Sequence, residues 1–209
     1  MDALVEKHFS ENRLRERVAL IGKFLLAGLV GLLIGLGVTF AALRNGVGFG
    51  AVKAGPWTAW PKAGGDAIDP YLRARLTRSG EIPLGASEGV GFIAENDSAG
   101  ARLDGACDYT VSGQTPQARY WTLTVMTPEG RLIANPAGRN GFTSSEILRS
   151  ADGGFAIALS HNARPGNWLP LTYRKDFILA LRLYETEFSA GGLAFDPANL
   201  PVIVKGFCR

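Results

Sequence analysis

Charged residues stop at Lys23 and resume at Arg44, and between them Phe24–Leu43 is an unbroken apolar run of 20 residues. As a helix rising about 1.5 Å per residue, such a run spans about 30 Å, the hydrocarbon thickness of a bilayer. The other reading is a cleaved signal peptide, whose apolar core is about 7–15 residues long and ends in a small-x-small site. Here the run is longer, and Ala41 and Ala42 offer only a weak cleavage point. Lys7, Arg13, Arg15, Arg17 and Lys23 precede the run, against Arg44, Lys53 and Lys62 soon after it, which predicts a cytoplasmic N-terminus and an exported C-terminal domain. The expected organisation is a cytoplasmic, irregularly amphipathic segment 1–23, a transmembrane helix 24–43, a Gly-rich linker 44–56 and a domain 57–209.

Beyond the linker the pattern changes twice. DPYLRARLTRSG carries one helix signal: Asp69 as cap, Pro70 at the first helical position, Tyr71, Leu72 and Leu76 on a partly apolar face, and Gly80 as stop. Thereafter apolar residues recur with period two, in GVGFIAE, CDYTVSG, RYWTLTVM, GRLIAN, GFAIALS, DFILALRLYE and LPVIVKGF. Short β-rich runs divided by turn residues predict an all-β body, an antiparallel sandwich. MTPEGRL is the clearest hairpin turn, with Pro128 presetting φ and Gly130 accepting a positive one. In DFILALRLYE, Phe177, Leu179, Leu181 and Leu183 face one way, while Ile178, Ala180, Arg182 and Tyr184 form a mixed face that suits the border of a pocket. In FTSSEIL, Thr143 and Glu146 have capping-box spacing for a single helical turn.

Composition narrows the classes. With 209 residues, 46% of them apolar, the chain suits one domain plus an appendage. Its 27 Gly and 11 Pro sit between short apolar runs, as in a turn-rich β protein. Residues 45–209 hold 16 basic and 15 acidic side chains with no basic stripe, which argues against a nucleic-acid partner, because phosphate neutralisation needs clustered Lys and Arg. Cys107 and Cys208 are the only thiols, and in an exported domain they are expected to pair. Neither they nor any other spacing completes a metal site or points to a cofactor.

The ordered series DPYLRARLTRSGEIPLG, LDGACDYTV, ARYWTLTVMTPEGRLIANPAGRN, ADGGFAIALS, NWLP, FILALRLYE and LPVIVK resembles the bacterial family domain of unknown function 1214, whose members often sit beside domain of unknown function 1254. The resemblance runs over roughly residues 57–207 and implies a jelly-roll-like sandwich in a cell-envelope protein, without supplying a reaction. It marks Trp121, Asn135, Arg139, Asn167, Trp168, Arg182 and Tyr184 as signature positions.

Candidate chemistry is sparse. GASEG fits the Gly-x-Ser-x-Gly expression of hydrolases, and Ser87, Asp152 and His161 follow a triad's chain order, but the elbow motif requires a strand before the serine and a helix after it. His161 ends a strand as a loop histidine, or serves as a general base. Trp168, stiffened by Pro165–Gly166 before it and Pro170 after it, either plugs one end of the sandwich or offers a stacking platform to a glycan. Trp121, Arg139, His161, Asn167, Arg182 and Tyr184 would then be its neighbours. The expected function is a membrane-anchored binding or accessory protein. It contacts the bilayer through residues 24–43, a membrane protein through the small-residue stripe Ala27, Gly31, Gly35 and Thr39, and a glycan through the exported body. The alternative is a carbohydrate-active or ester hydrolase with its site near Trp168 and His161.

Overall fold

The computed structural model describes residues 2–45, 50–66, 68–79, 82–85, 87–114, 118–186 and 200–208; the side chains of 2–14, 43–45, 75, 78 and 79 are outside that description. Two compact units divide after Val47.

The first unit is one helix, α1 (Asp2–Asn45). Within Arg15–Ala42 the most apolar 18 residues have a mean hydropathy of 2.4 and none of them is buried, so the helix is long and apolar enough to cross a bilayer. The expected division between segment 1–23 and the spanning run has no break in the backbone, because neither proline nor a capping residue interrupts VALIGKFLL. Ala27, Gly31 and Gly35 lie on exposed helix surface, with Thr39 half-buried.

The second unit is built from β1 (Val52–Ala54), β2 (Trp57–Ala59), α2 (Pro70–Ser79), β3 (Gly89–Ala94), β4 (Cys107–Gly113), β5 (Ala118–Met126), β6 (Gly141–Thr143), β7 (Phe155–Ser160), β8 (Asn167–Pro170), β9 (Ile178–Thr186) and β10 (Val202–Cys208). They form a six-stranded sheet in the order β1-β2-β3-β9-β5-β6 and a four-stranded sheet in the order β10-β4-β7-β8. Period-two alternation sends Phe92 of β3, Trp121, Leu123 and Val125 of β5, and Leu179, Leu181 and Leu183 of β9 into one core. From the other sheet it sends Tyr109, Val111, Ile157, Leu159, Leu169 and Ile203. Aromatic pairs join the layers: Trp121 stacks on Phe155 with ring centres 5.1 Å apart, and Tyr109 meets Phe177 edge-on at 5.5 Å. Burial pushes the Tyr109 phenol above its ordinary pKa, and its oxygen accepts the Asp104 N–H at 2.9 Å.

Four readings of the sequence are corrected here. The sheets are antiparallel except for β7 and β8, which run parallel with Ile157 opposite Asn167 and Leu159 opposite Leu169. A parallel pair normally needs a long crossover. Six residues suffice in this case, because β8 re-enters the sheet only a few positions back along β7. Residues 52–54, inside the stretch read as linker, form the edge strand β1, and Trp57 is fully buried, its indole N–H donating to the Pro201 carbonyl at 2.7 Å. GRLIAN is not a strand. After the hairpin turn, closed by Thr127 and Arg131 with Gly130 at φ 78°, only Leu132 bridges back to Met126. Asn135 then diverts the chain by donating to Ile133 O, Arg139 O and Asn140 Oδ1, and β6 takes the pairing place beside β5. Finally, Glu146 Oε2 accepts the Thr143 N–H at 3.3 Å, as in half of a capping box, yet the residues close a turn and not a helical segment.

The cap of α2 is as read: Asp69 Oδ1 accepts the N–H groups of Tyr71 and Leu72 at 3.0 and 3.1 Å. Gly80, the expected stop, lies outside the described residues. Cys107 and Cys208 form a disulfide, joining β4 and β10 directly opposite each other across 101 residues of sequence.

Candidate functional site

The signature residues do not converge. Trp121 points inward from β5 and is core. Arg139 and Asn167 border one shallow polar depression with Gly138, Asn140, Glu146 and Leu148. The Arg139 guanidinium lies over the Phe142 ring at 5.2 Å, and its backbone is clamped by Asn135, which accepts its N–H at 3.1 Å. Asn167 is buried, and its amide is consumed structurally. Its Oδ1 accepts Leu148 N–H at 2.8 Å, and its Nδ2 donates to Leu148 O at 2.7 Å and Ala156 O at 3.0 Å. Removing that amide leaves the Leu148 backbone unpaired, so Asn167→Ala is expected to cost about 3 kcal/mol, measured as a shift in the urea midpoint at unchanged slope.

Trp168 neither plugs an end of the sandwich nor stands free. Its register partner is Ala158 on the outer face of the four-stranded sheet, it is half-buried, and its Nε1 donates to Ser160 O at 3.1 Å. His161 lies one residue past β7 with Nε2 against Gly105 O at 2.8 Å. Asp152, second in the triad's chain order, accepts the Ser150 hydroxyl at 2.6 Å and the Gly154 N–H at 3.1 Å; these two bonds hold its carboxyl below the usual range. Ser87 is exposed in the turn Gly85–Gly89, which leads into a strand, so the strand-turn-helix context of a nucleophile elbow is missing there. Among the described residues no group of three or more His, Cys, Asp or Glu is placed to hold a metal ion.

Arg182 and Tyr184 occupy the outward face of β9, as alternation requires. Tyr184 pairs with Tyr120 of β5, ring centres 5.9 Å apart, and beyond it Arg119 bridges Glu185 at 2.8 Å. At Glu185 the backbone turns left-handed, φ 48°, and its N–H reaches the Glu88 carbonyl at 2.8 Å, tying the end of β9 to the turn before β3. Two positions back, Arg182 faces Gly91 of β3 and enters a narrow cleft between the outer face of the six-stranded sheet and residues 60–84. Trp60, Pro61, Leu72, Leu76, Ile82 and Leu84 wall this cleft, and Gly91, Ile93 and Arg182 floor it; its cavity volume is only about 50 Å³. Of its residues, the sequence reading singled out Arg182 alone as a site residue. A usable signal was nonetheless present, since period two in GVGFIA puts Gly91 and Ile93 on the face shared with Arg182.

No curated protein matches the chain. Among solved structures, the VPA0106 protein of Vibrio parahaemolyticus shares the fold at a TM-score of 0.54 and 22% identity, over 68% of this chain and 36% of that one. An uncharacterised protein from Burkholderia cenocepacia aligns over 66% of this chain and 48% of its own at 18% identity, with a TM-score of 0.31. The chain therefore spans about a third to a half of the length of these relatives. Residues 88–188, which run from the turn before β3 through β9, match the family described as Protein of unknown function (DUF1214).

Proposed function

We propose that this chain is a membrane-anchored binding or accessory protein of the bacterial envelope, with α1 crossing the inner membrane once, the N-terminus in the cytoplasm and the β body in the periplasm. The observation that carries the reading is the helical stretch Arg15–Ala42, uncharged from Phe24 onward and with none of its apolar run buried. A helix hydrophobic all round must be buried, and the bilayer is the partner that buries every side of it. The excess of Lys and Arg before the span supports the orientation, and the Cys107–Cys208 bond suits an oxidising compartment.

In this reading the stripe Ala27, Gly31, Gly35 and Thr39 is the surface on which a membrane protein complex would pack. The polar depression at Arg139 and Asn167 is the place an envelope glycan would use. The jelly-roll character implied by the family resemblance rests on β9, which returns from far along the chain to lie between β3 and β5 in Greek-key manner. The hydrolase alternative has less behind it, since His161 Nε2 is engaged by a backbone carbonyl and Ser87 stands in a turn that enters a strand.

Protease added to intact spheroplasts is expected to digest the β body while sparing an N-terminal epitope tag, with the tagged fragment remaining in the membrane. A body that resists until the membrane is breached would overturn the orientation, and loss of the tag from the mature protein would make α1 a cleaved signal. Pull-down in mild detergent should recover a stoichiometric membrane partner. Recovery of none, together with glycosidase or esterase turnover abolished by His161→Ala, would favour the hydrolase.

A further inference from the structure

The polar depression at Arg139 is lined by residues of β6 and β8, an edge strand from each sheet, and its rim is held by bonds made within the protein. Asn167 clamps the Leu148 backbone on one side, and on the other Asn140 O accepts the Val125 N–H at 2.8 Å. Gly138, at φ 61°, turns the chain between them with its N–H on Asn135 O at 3.0 Å. The hollow so framed measures about 500 Å³, within the range of small-molecule sites.

Among the described residues its lining holds two charged side chains, Arg139 and Glu146, which do not pair with each other, and no carboxylate pairs with Arg139. The guanidinium lies over the buried Phe142 ring, and Asn135 bonds both the N–H and the carbonyl of the Arg139 backbone, so the cation is oriented before any ligand arrives. Stacked in this way it keeps its N–H groups directed around its rim, where a carboxylate meets two of them side by side. Glu146 commits Oε2 to the Thr143 N–H and hydroxyl and keeps Oε1 as an acceptor for hydroxyl groups. Leu148, 66% exposed in the same lining, adds an apolar patch. A donor in one place, an acceptor in another and an apolar patch match a pyranose acid, whose carboxylate and far hydroxyls stand on opposite sides of a ring with an apolar C–H face. A dianionic phosphate suits the lining less, because Glu146 repels the added charge. We propose that the depression binds an acidic sugar, a pyranose bearing one carboxylate, with the carboxylate on Arg139 and hydroxyls on Glu146. This names the kind of glycan for the binding reading given above and rests on that reading.

The test uses the full chain in lipid nanodiscs, titrated by saturation-transfer NMR with methyl glucuronoside, its neutral methyl ester, methyl glucoside and the glucoside carrying a phosphate on its primary hydroxyl. The glucuronoside is expected to bind about tenfold more tightly than either neutral sugar, as one charge-assisted bond implies, and more tightly than the phosphate. Arg139→Gln should bring it down to the level of the neutral sugars, and Arg139→Lys, which keeps the charge without the fork, should fall between. Should both variants fail to form the Cys107–Cys208 bond, a glucuronoside with a photoactivatable diazirine on its aglycone is expected to label residues 137–148 or 166–168 of the wild type, and labelling elsewhere alone would overturn the site. Equal affinity for acid and neutral sugars, tighter binding of the phosphate, or a preference that survives Arg139→Gln would overturn the acidic-sugar assignment and leave the glycan reading standing. Binding of none of the sugars would overturn both.

Discussion

Trp121→Ala is expected to destabilise the β body by about 3–5 kcal/mol, the range for deleting a large aromatic from a packed core. The indole is 2% exposed, stacks on Phe155 of the opposite sheet and lies opposite Leu183 in the neighbouring strand. It therefore belongs to the small set of side chains that hold the two layers together. The guanidinium of Arg149, 6.0 Å from the ring centre, would lose its aromatic partner as well. Since single domains have roughly 5–15 kcal/mol in total, the variant should stand near the edge of folding. Urea unfolding followed by tryptophan fluorescence and near-ultraviolet dichroism would measure the loss, with Trp121→Phe retaining more than half of the stability difference. A cost under about 1 kcal/mol would mean that the layers close over the void, and that the ring is not the joint described here.

Replacing both cysteines by serine is expected to cost about 2–5 kcal/mol, toward the upper end because the bond closes a long loop. The effect should be uneven along β10. At its start, Ile203 is buried and its backbone exchanges bonds with Ser98, N–H to Oγ at 2.8 Å and carbonyl from N–H at 2.9 Å. Past a bulge between Lys205 and Cys208 the strand is exposed, Phe207 72% so, and the disulfide is what returns it to β4. Hydrogen exchange should therefore show residues 205–208 losing protection first, with 202–204 retaining it until global unfolding. Equal loss along the whole strand, or none, would contradict this division.

The largest elements were legible because each rests on a local rule. Twenty uncharged residues make a helix long and apolar enough to cross a bilayer whatever follows them, Asp69 before Pro70 opens α2, and alternation in DFILALRLYE places Leu179, Leu181 and Leu183 inward and Arg182 outward. β1, β2, β6 and β8 escaped notice because three or four residues hold too few periods to be read, and each exists only through the strand it pairs with. GRLIAN alternates well enough for a strand but loses its place to β6 once Asn135 turns the chain aside. The candidate site failed for a different reason. Trp121, Arg139, Trp168 and Arg182 were grouped as signature residues, and the fold distributes them to the core, a loop, one outer face and the opposite one. No local rule could reveal that residues 60–84 roof the face carrying Arg182, since that depends on where the chain goes after Trp60.

The four-stranded sheet is completed by β10, which follows every other described strand in sequence yet pairs with β4, and Trp57 near the front of the body waits on the carbonyl of Pro201. While the polypeptide is being made, both clasps stay open until residues 201–208 have left the ribosome. A body built so closes only once its last-made strand is available, and its folding waits on its longest-range contacts.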